Sequence, residues 1–346
     1  MDINILNQTA QAMVAHNKGL IAMDESNPTC NKRFADLGIL QTPEMRRRYR
    51  EMIITTPGLN KGINAAILYD ETVRQRLSDD TSFVKAVEDA SIIPGIKVDM
   101  GAKDLAGFPN EKITEGLDNL RSRLTEYSKM GIRFAKWRAV ITIGNGIPTP
   151  RCIVNNAMGL AQYAALCQEA NMVPIVEPEV LMDGNHDLKT CFSVTERVLH
   201  EVFEQLYKQR VINEGIILKP NMILPGTNCP DQSNTEEIAE MTVKCLLRTV
   251  PASVPGIAFL SGGQTSSLAT ARLNAMNAQY KSEIPWALTF SFSRALQYPA
   301  LEIWKGLDEN SIAAQNALYH RVQLNANACQ GKYLSEMEIE GHQRQY

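Results

Sequence analysis

Eight short apolar, β-rich runs recur along the chain, at 19–24, 63–70, 92–99, 132–138, 172–179, 215–220, 256–261 and 286–291. Most are continuous rather than alternating, the pattern of strands buried on both faces in a parallel sheet covered by helices. Between them, apolar residues return at helical spacing, as in Leu117, Leu120, Leu124 and Tyr127, or Val194, Val198, Val202 and Leu206. Ser193 with Glu196 reads as a capping box, and Thr149-Pro150 as a cap residue before a first-turn proline. Eight strand–helix units in 346 residues predict an α/β fold, a single (β/α)8 TIM barrel over residues 1–330, because an open doubly wound sheet more often has five or six strands. No glycine-rich dinucleotide fingerprint follows the first run, which leads into Glu25-Ser26-Asn27-Pro28. Residues 331–346 are polar and aperiodic and predict a flexible C-terminal tail.

With 44% hydrophobic and 21% charged residues and a net charge of −3, the chain can bury a sizeable core and carries no basic stripe for nucleic acid. Arg46-Arg47-Arg48 follows Thr42, Pro43 and Glu44, a helix start, and reads as a solvated helix face. Seven cysteines with no C-x-x-C pair and no zinc spacing suit a reduced, cytoplasmic protein. Neither a signal sequence nor an apolar run long enough to span a membrane is expected.

In a barrel the C-terminal strand ends converge on one mouth, where chemistry is placed. Here those ends carry Asp24, Lys97 and Asp99, Lys136 and Arg138, Glu177 and Glu179, and Lys219. Strand alternation puts Lys136 and Arg138 on one face, and Glu177 and Glu179 on one face. So many ionised groups beside apolar runs are costly as structure alone, since apolar packing often stabilises as well or better. Lys97, Lys136, Arg138 and Lys219 together can focus a positive field at the mouth on an anionic substrate. Ser261-Gly262-Gly263-Gln264 and Ser291-Phe292-Ser293-Arg294 follow the seventh and eighth runs, a recurrent phosphate-binding position in barrels. Ser26, Thr29, Lys32 and Arg33 offer hydroxyls and cations in the first loop for a second phosphate, although a capped, solvated helix is the alternative reading. Two separated phosphate sites suit a bisphosphate.

A free lysine is protonated at neutral pH and is no nucleophile; burial and neighbouring cations both lower its pKa. Lys219 ends an apolar run, with Lys136 on the same mouth. A neutral amine there can add to a ketone, and the resulting iminium accepts the electrons of a breaking carbon–carbon bond. Glu177 and Asp24 are available to move protons. The scheme calls for no metal and no cofactor.

From about residue 10 to 333 the chain resembles the class I fructose-1,6-bisphosphate aldolases. The resemblance rests on Ala22-Met23-Asp24-Glu25-Ser26, Gly95-Ile96-Lys97-Val98-Asp99, Phe134-Ala135-Lys136-Trp137-Arg138, Val176-Glu177-Pro178-Glu179, Leu218-Lys219-Pro220-Asn221, Leu260-Ser261-Gly262-Gly263-Gln264 and Trp286-Ala287-Leu288-Thr289-Phe290-Ser291, in the family's order. It implies reversible cleavage of fructose 1,6-bisphosphate to dihydroxyacetone phosphate and glyceraldehyde 3-phosphate by a homotetramer. It also implies Lys219 as the Schiff-base lysine and Glu177 as the main acid/base, with Asp24, Lys136 and Glu179 in support. Ser261, Gly262, Gly263, Ser291 and Arg294 fall on the ketose-phosphate site. Ser26, Thr29, Arg33, Lys97 and Arg138 fall on the opposite phosphate side, and Tyr346 is the terminal tyrosine of proton exchange. Ser293 stands where the animal pattern has glycine, Asn27-Pro28 replaces Thr-Gly, and Thr29 replaces serine. Three alternatives remain: another lysine-dependent aldolase or transaldolase, which would not need two phosphate loops; a metal-dependent aldolase, which would need clustered histidines, whereas His16, His186, His200, His320 and His342 are scattered and His186 reads as a loop partner of Asp187; and a non-catalytic scaffold, which would not keep Lys219, Glu177, Lys136 and Asp24 together.

Overall fold

The computed structural model describes residues 1–339. Among the described residues ten strands form: β1 (Gly19–Ala22), β2 (Ile63–Leu68), β3 (Ile93–Lys97), β4 (Ala102–Asp104), β5 (Lys112–Thr114), β6 (Phe134–Ile141), β7 (Val173–Val180), β8 (Ile217–Leu218), β9 (Gly256–Phe259) and β10 (Ala287–Phe292). Eight of them pair in parallel into a closed barrel in the order β1-β10-β9-β8-β7-β6-β3-β2, with β1 meeting β10 through Leu20↔Ser291. All eight predicted runs are barrel strands. The short antiparallel hairpin β4–β5 was not legible, since three-residue strands carry no periodicity.

Side-chain alternation sorts the barrel into layers along its axis. Leu20, Ala65, Phe134, Val173, Ile175 and Ile217 fill its lower interior, against Leu6, Ala10 and Met13 of an N-terminal helix, Ile3–Met13. That helix closes the end opposite the mouth, because the residues it meets lie at the starts of strands. Two residues further along the same inward rows stand Lys136, Glu177 and Lys219, so each strand turns from apolar to ionised as it rises. Gly95 is fixed by this packing: a Cβ there would lie 2.1 Å from the Phe134 ring. The outward rows pack against the surrounding helices in a second, larger apolar layer.

Several local expectations change. The helix holding Val194 to Leu206 runs Leu188–Lys208, and its cap is Asp187, whose Oδ1 accepts from Thr190 N at 2.8 Å. Ser193 therefore lies inside the helix, and Asp187 caps it instead of pairing with His186. Leu117 precedes its helix, Leu120–Lys129. The Thr149 and Thr42 caps form as read, accepting from Cys152 N and Met45 N. Arg46 is buried rather than solvated, forked onto Glu71 at 2.7 and 2.6 Å. Arg47 pairs with Glu44 and Glu51. The start of the expected tail packs on the barrel: Tyr333 is buried, donates its N–H to Asn274 and its hydroxyl to Glu338, and Glu338 pairs with Arg321. Tyr346 lies outside the described residues. All seven cysteines are buried and free, and Cys30, Cys152, Cys245 and Cys329 are pushed by burial up to between about 11 and about 12, so they are thiols at neutral pH.

Candidate active site

The C-terminal strand ends open onto a cavity of about 870 Å³ lined by Asp24, Lys97, Lys136, Arg138, Glu177, Glu179 and Lys219. The β6–β7 register sets Arg138 beside Glu177 and Val140 beside Glu179, which brings the two strands' inward charges together. Lys219 continues past the two-residue β8, its N–H bonded to Val176 O at 2.8 Å, and Pro220 then ends the ladder by lacking a donor.

At the floor sit four ionisable groups, each at most 6% exposed. Lys219 Nζ lies 3.1 Å from Glu177 Oε1, while Lys136 Nζ lies 3.3 Å from Glu177 Oε2 and 2.6 Å from Asp24 Oδ2. Glu177 Oε2 has no hydrogen-bond partner among the described residues, which leaves an acceptor for an incoming group. The two lysines differ in company. Burial lowers both, but Asp24, Glu177 and Asp99 together lift Lys136 well above the ordinary lysine range. Lys219 stays below it: burial dominates, Glu177 opposes, and the Lys136 charge adds to the lowering. Burial pushes Asp24 and Glu177 up, yet Lys136 and Lys219 prevail and hold both carboxyls below their usual range. The ammonium form is thus favoured at Lys136 and disfavoured at Lys219.

Around this floor lie two sets of hydroxyl, glycine and cationic groups whose chemistry suits an anion. Gly262 and Gly263 adopt φ of 59° and 91°, a backbone that side chains rarely take, and a Cβ on Gly263 would sit 3.4 Å from Arg294 Nη2. Ser291 Oγ is buried without a partner among the described residues and faces the same cavity. Arg294 begins the helix Arg294–Trp304, and no ion pair among the described residues engages it. Backbone N–H groups at such a start favour anions. Across the mouth, Ser26 and Thr29 share a 3.0 Å hydroxyl contact, and Arg33 is paired to Glu25 at 2.5 Å. Lys97 rests 3.2 Å from Asp99 and over the Tyr69 ring, and Arg138 pairs with Glu179. Every named site residue within the described range lines this cavity. Sequence reasoning gave no role to Glu25, which is buried under Arg33, or to Ser293, which binds both. Their separation of 268 positions hides that contact.

A closed barrel whose mouth sets a buried lysine of lowered pKa against a carboxylate, flanked by hydroxyls, glycines and cations, fits a carbon–carbon lyase. The family model of class I fructose-bisphosphate aldolase matches residues 5–346. A probable class 1 fructose-bisphosphate aldolase of Xanthomonas campestris pv. campestris is 54% identical over 334 residues, covering 96% of this chain and 99% of that protein. A cytosolic fructose-bisphosphate aldolase of Arabidopsis thaliana is 47% identical over 93% of this chain and 82% of its own length. A crystal structure of the Plasmodium falciparum aldolase, in complex with TRAP and a small-molecule inhibitor, superposes with a TM-score of 0.94 at 43% identity over 97% of each chain. The chain belongs to the class I fructose-bisphosphate aldolases, lyases of (β/α)8 fold.

Proposed function

We propose that Lys219 is the Schiff-base lysine of this chain, with Glu177 as its principal proton carrier. The carrying observation is the 3.1 Å contact between Lys219 Nζ and Glu177 Oε1 at the buried floor. The neutral amine attacks the ketone carbon of the open-chain sugar. In forming that amine the Lys219 ammonium gives a proton to Glu177; after attack one nitrogen proton passes to the new alkoxide to give the carbinolamine, and Glu177 returns its proton to the carbinolamine hydroxyl, which leaves as water and gives the iminium. A carboxylate at the floor, Asp24 or Glu177, then removes the proton of the hydroxyl on C4. The C3–C4 bond breaks, its electron pair passes into the iminium, the aldehyde departs and an enamine remains. Protonation at C3 and addition of water release the second triose and the free amine. Lys136, cationic throughout, keeps Asp24 and Glu177 ionised and oriented. Glu179 holds Arg138.

Ser261, Gly262, Gly263, Ser291 and Arg294 take the phosphate of the ketose end. Ser26, Thr29, Arg33, Lys97 and Arg138 take the other. Tyr346 serves proton exchange at the triose carbon. We further assign a cytoplasmic homotetramer, a reading supported by the family resemblance and by seven buried free thiols that suit a reducing compartment. Among the described residues no helix is long and apolar enough to cross a membrane. Cleavage of fructose 1,6-bisphosphate, followed by a coupled triose phosphate assay in EDTA, tests the assignment: activity persists in the wild type and is lost in K219M. Loss of wild-type activity in EDTA contradicts it.

A further inference from the structure

Ser293 stands where the two phosphate-binding regions meet. It follows β10, precedes Arg294, and lines the mouth together with Glu25 and Arg33. Its hydroxyl donates to Glu25 Oε1 at 2.7 Å and accepts from Nη1 and Nη2 of Arg33, each at 3.3 Å. Glu25 Oε1 takes Arg33 Nη1 as well, at 2.5 Å. The anchor beneath is rigid: fully buried Arg50 donates to the Glu25 carbonyl at 2.7 Å, and Gln297, bound to Tyr49 and to Ala22 O, approaches Ser293 Oγ at 3.5 Å. With Glu25 as the acceptor of its one proton, the Ser293 oxygen presents its lone pairs to the guanidinium. Arg33 is therefore fixed from two sides, by a carboxylate of its own loop and by a hydroxyl on the last loop of the barrel. Remove the hydroxyl, and among the described residues only one Nη of this long side chain keeps a hydrogen-bond partner.

We propose that Ser293 is a positioning residue for Arg33: by tying that guanidinium to the last loop it sets the preference of the mouth for a sugar with two phosphates over one phosphorylated only at the ketose end. The inference rests on the proposed bisphosphate site. Ser293 acts through Arg33 and touches none of the reacting carbons. Its φ of −105° lies outside the left-handed region that calls for glycine.

The test is steady-state kinetics of S293A, S293G, R33A and S293A/R33A on fructose 1,6-bisphosphate and fructose 1-phosphate. Losing these long contacts, no more than one ordinary net hydrogen bond, raises KM for the bisphosphate about fivefold in both Ser293 variants. Their kcat on the bisphosphate and KM for the monophosphate stay at wild-type values. S293A/R33A is no worse than R33A, because the hydroxyl has no route except the guanidinium. Equal losses on both substrates, additive losses in the double variant, or an unchanged preference overturn the positioning role while wild-type cleavage stands. A wild type that cleaves neither sugar overturns the site reading and this role together.

Discussion

Replacing Lys136 by methionine tests whether one lysine makes the other a nucleophile. Both amines rest on the carboxylate of Glu177, Lys219 at 3.1 Å and Lys136 at 3.3 Å on opposite oxygens. Such bridging sets the nitrogens roughly 5–8 Å apart, where a unit charge in an effective dielectric of ~20 contributes about 2–3 kcal/mol of repulsion. At 1.36 kcal/mol per pKa unit that is about two units. Burial is the larger cause of the Lys219 lowering and survives the substitution, while the Lys136 contribution disappears. Asp24 and Glu177, freed from Lys136, then hold the Lys219 ammonium more firmly, which acts in the same direction. If one of them takes up a proton, the effect is trimmed but not reversed. The Lys219 midpoint in K136M moves to higher pH by about 1–2 units, and its free-amine fraction at neutral pH falls about 10- to 100-fold. The assay is the pH profile of Lys219 acylation by a neutral amine reagent, followed by peptide mass analysis. A midpoint that stays put or moves to lower pH in a folded K136M, as judged by thermal melting, refutes the reasoning.

Two further outcomes follow from the packing and the charges. G95A places a methyl 2.1 Å from the Phe134 ring inside the barrel, so its urea midpoint drops by the equivalent of about 3 kcal/mol, and a loss under about 0.5 kcal/mol contradicts that packing. Asp24 and Glu177 carry folded pKa values below their unfolded ones. Their contribution to stability is full above the unfolded values, near pH 4, and vanishes as pH falls through the folded ones. Melting temperature therefore declines as pH falls below about 4, less steeply in D24N/E177Q; equal slopes in the two proteins refute it.

Legibility in the sequence followed physical reach. The eight barrel strands are short, buried on both faces and separated by helices, so each announces itself locally, as with Val173–Val180. Their inward charges were legible from alternation once the strands were placed. The charge that holds Lys136 as a cation was not, because it depends on Asp24 standing 2.6 Å from Lys136 across the barrel. The end of an apolar run pointed to Lys219 as the amine, and the family resemblance agreed. Arg46 misled because its partner Glu71 lies 25 positions on, and Ser193 because a capping-box pattern inside a longer helix looks the same as one at its start. Glu25 and Ser293 went unassigned for the same reason: a contact between the first and last loops exists only once the barrel closes.

The most direct measurement of the central claim is borohydride trapping during turnover of fructose 1,6-bisphosphate in EDTA, followed by mass mapping of the reduced peptide. A stable triose phosphate or hexose bisphosphate adduct on Lys219, absent from K219M, is the expected result. An adduct on Lys136 instead, or no adduct together with activity that EDTA abolishes, contradicts it.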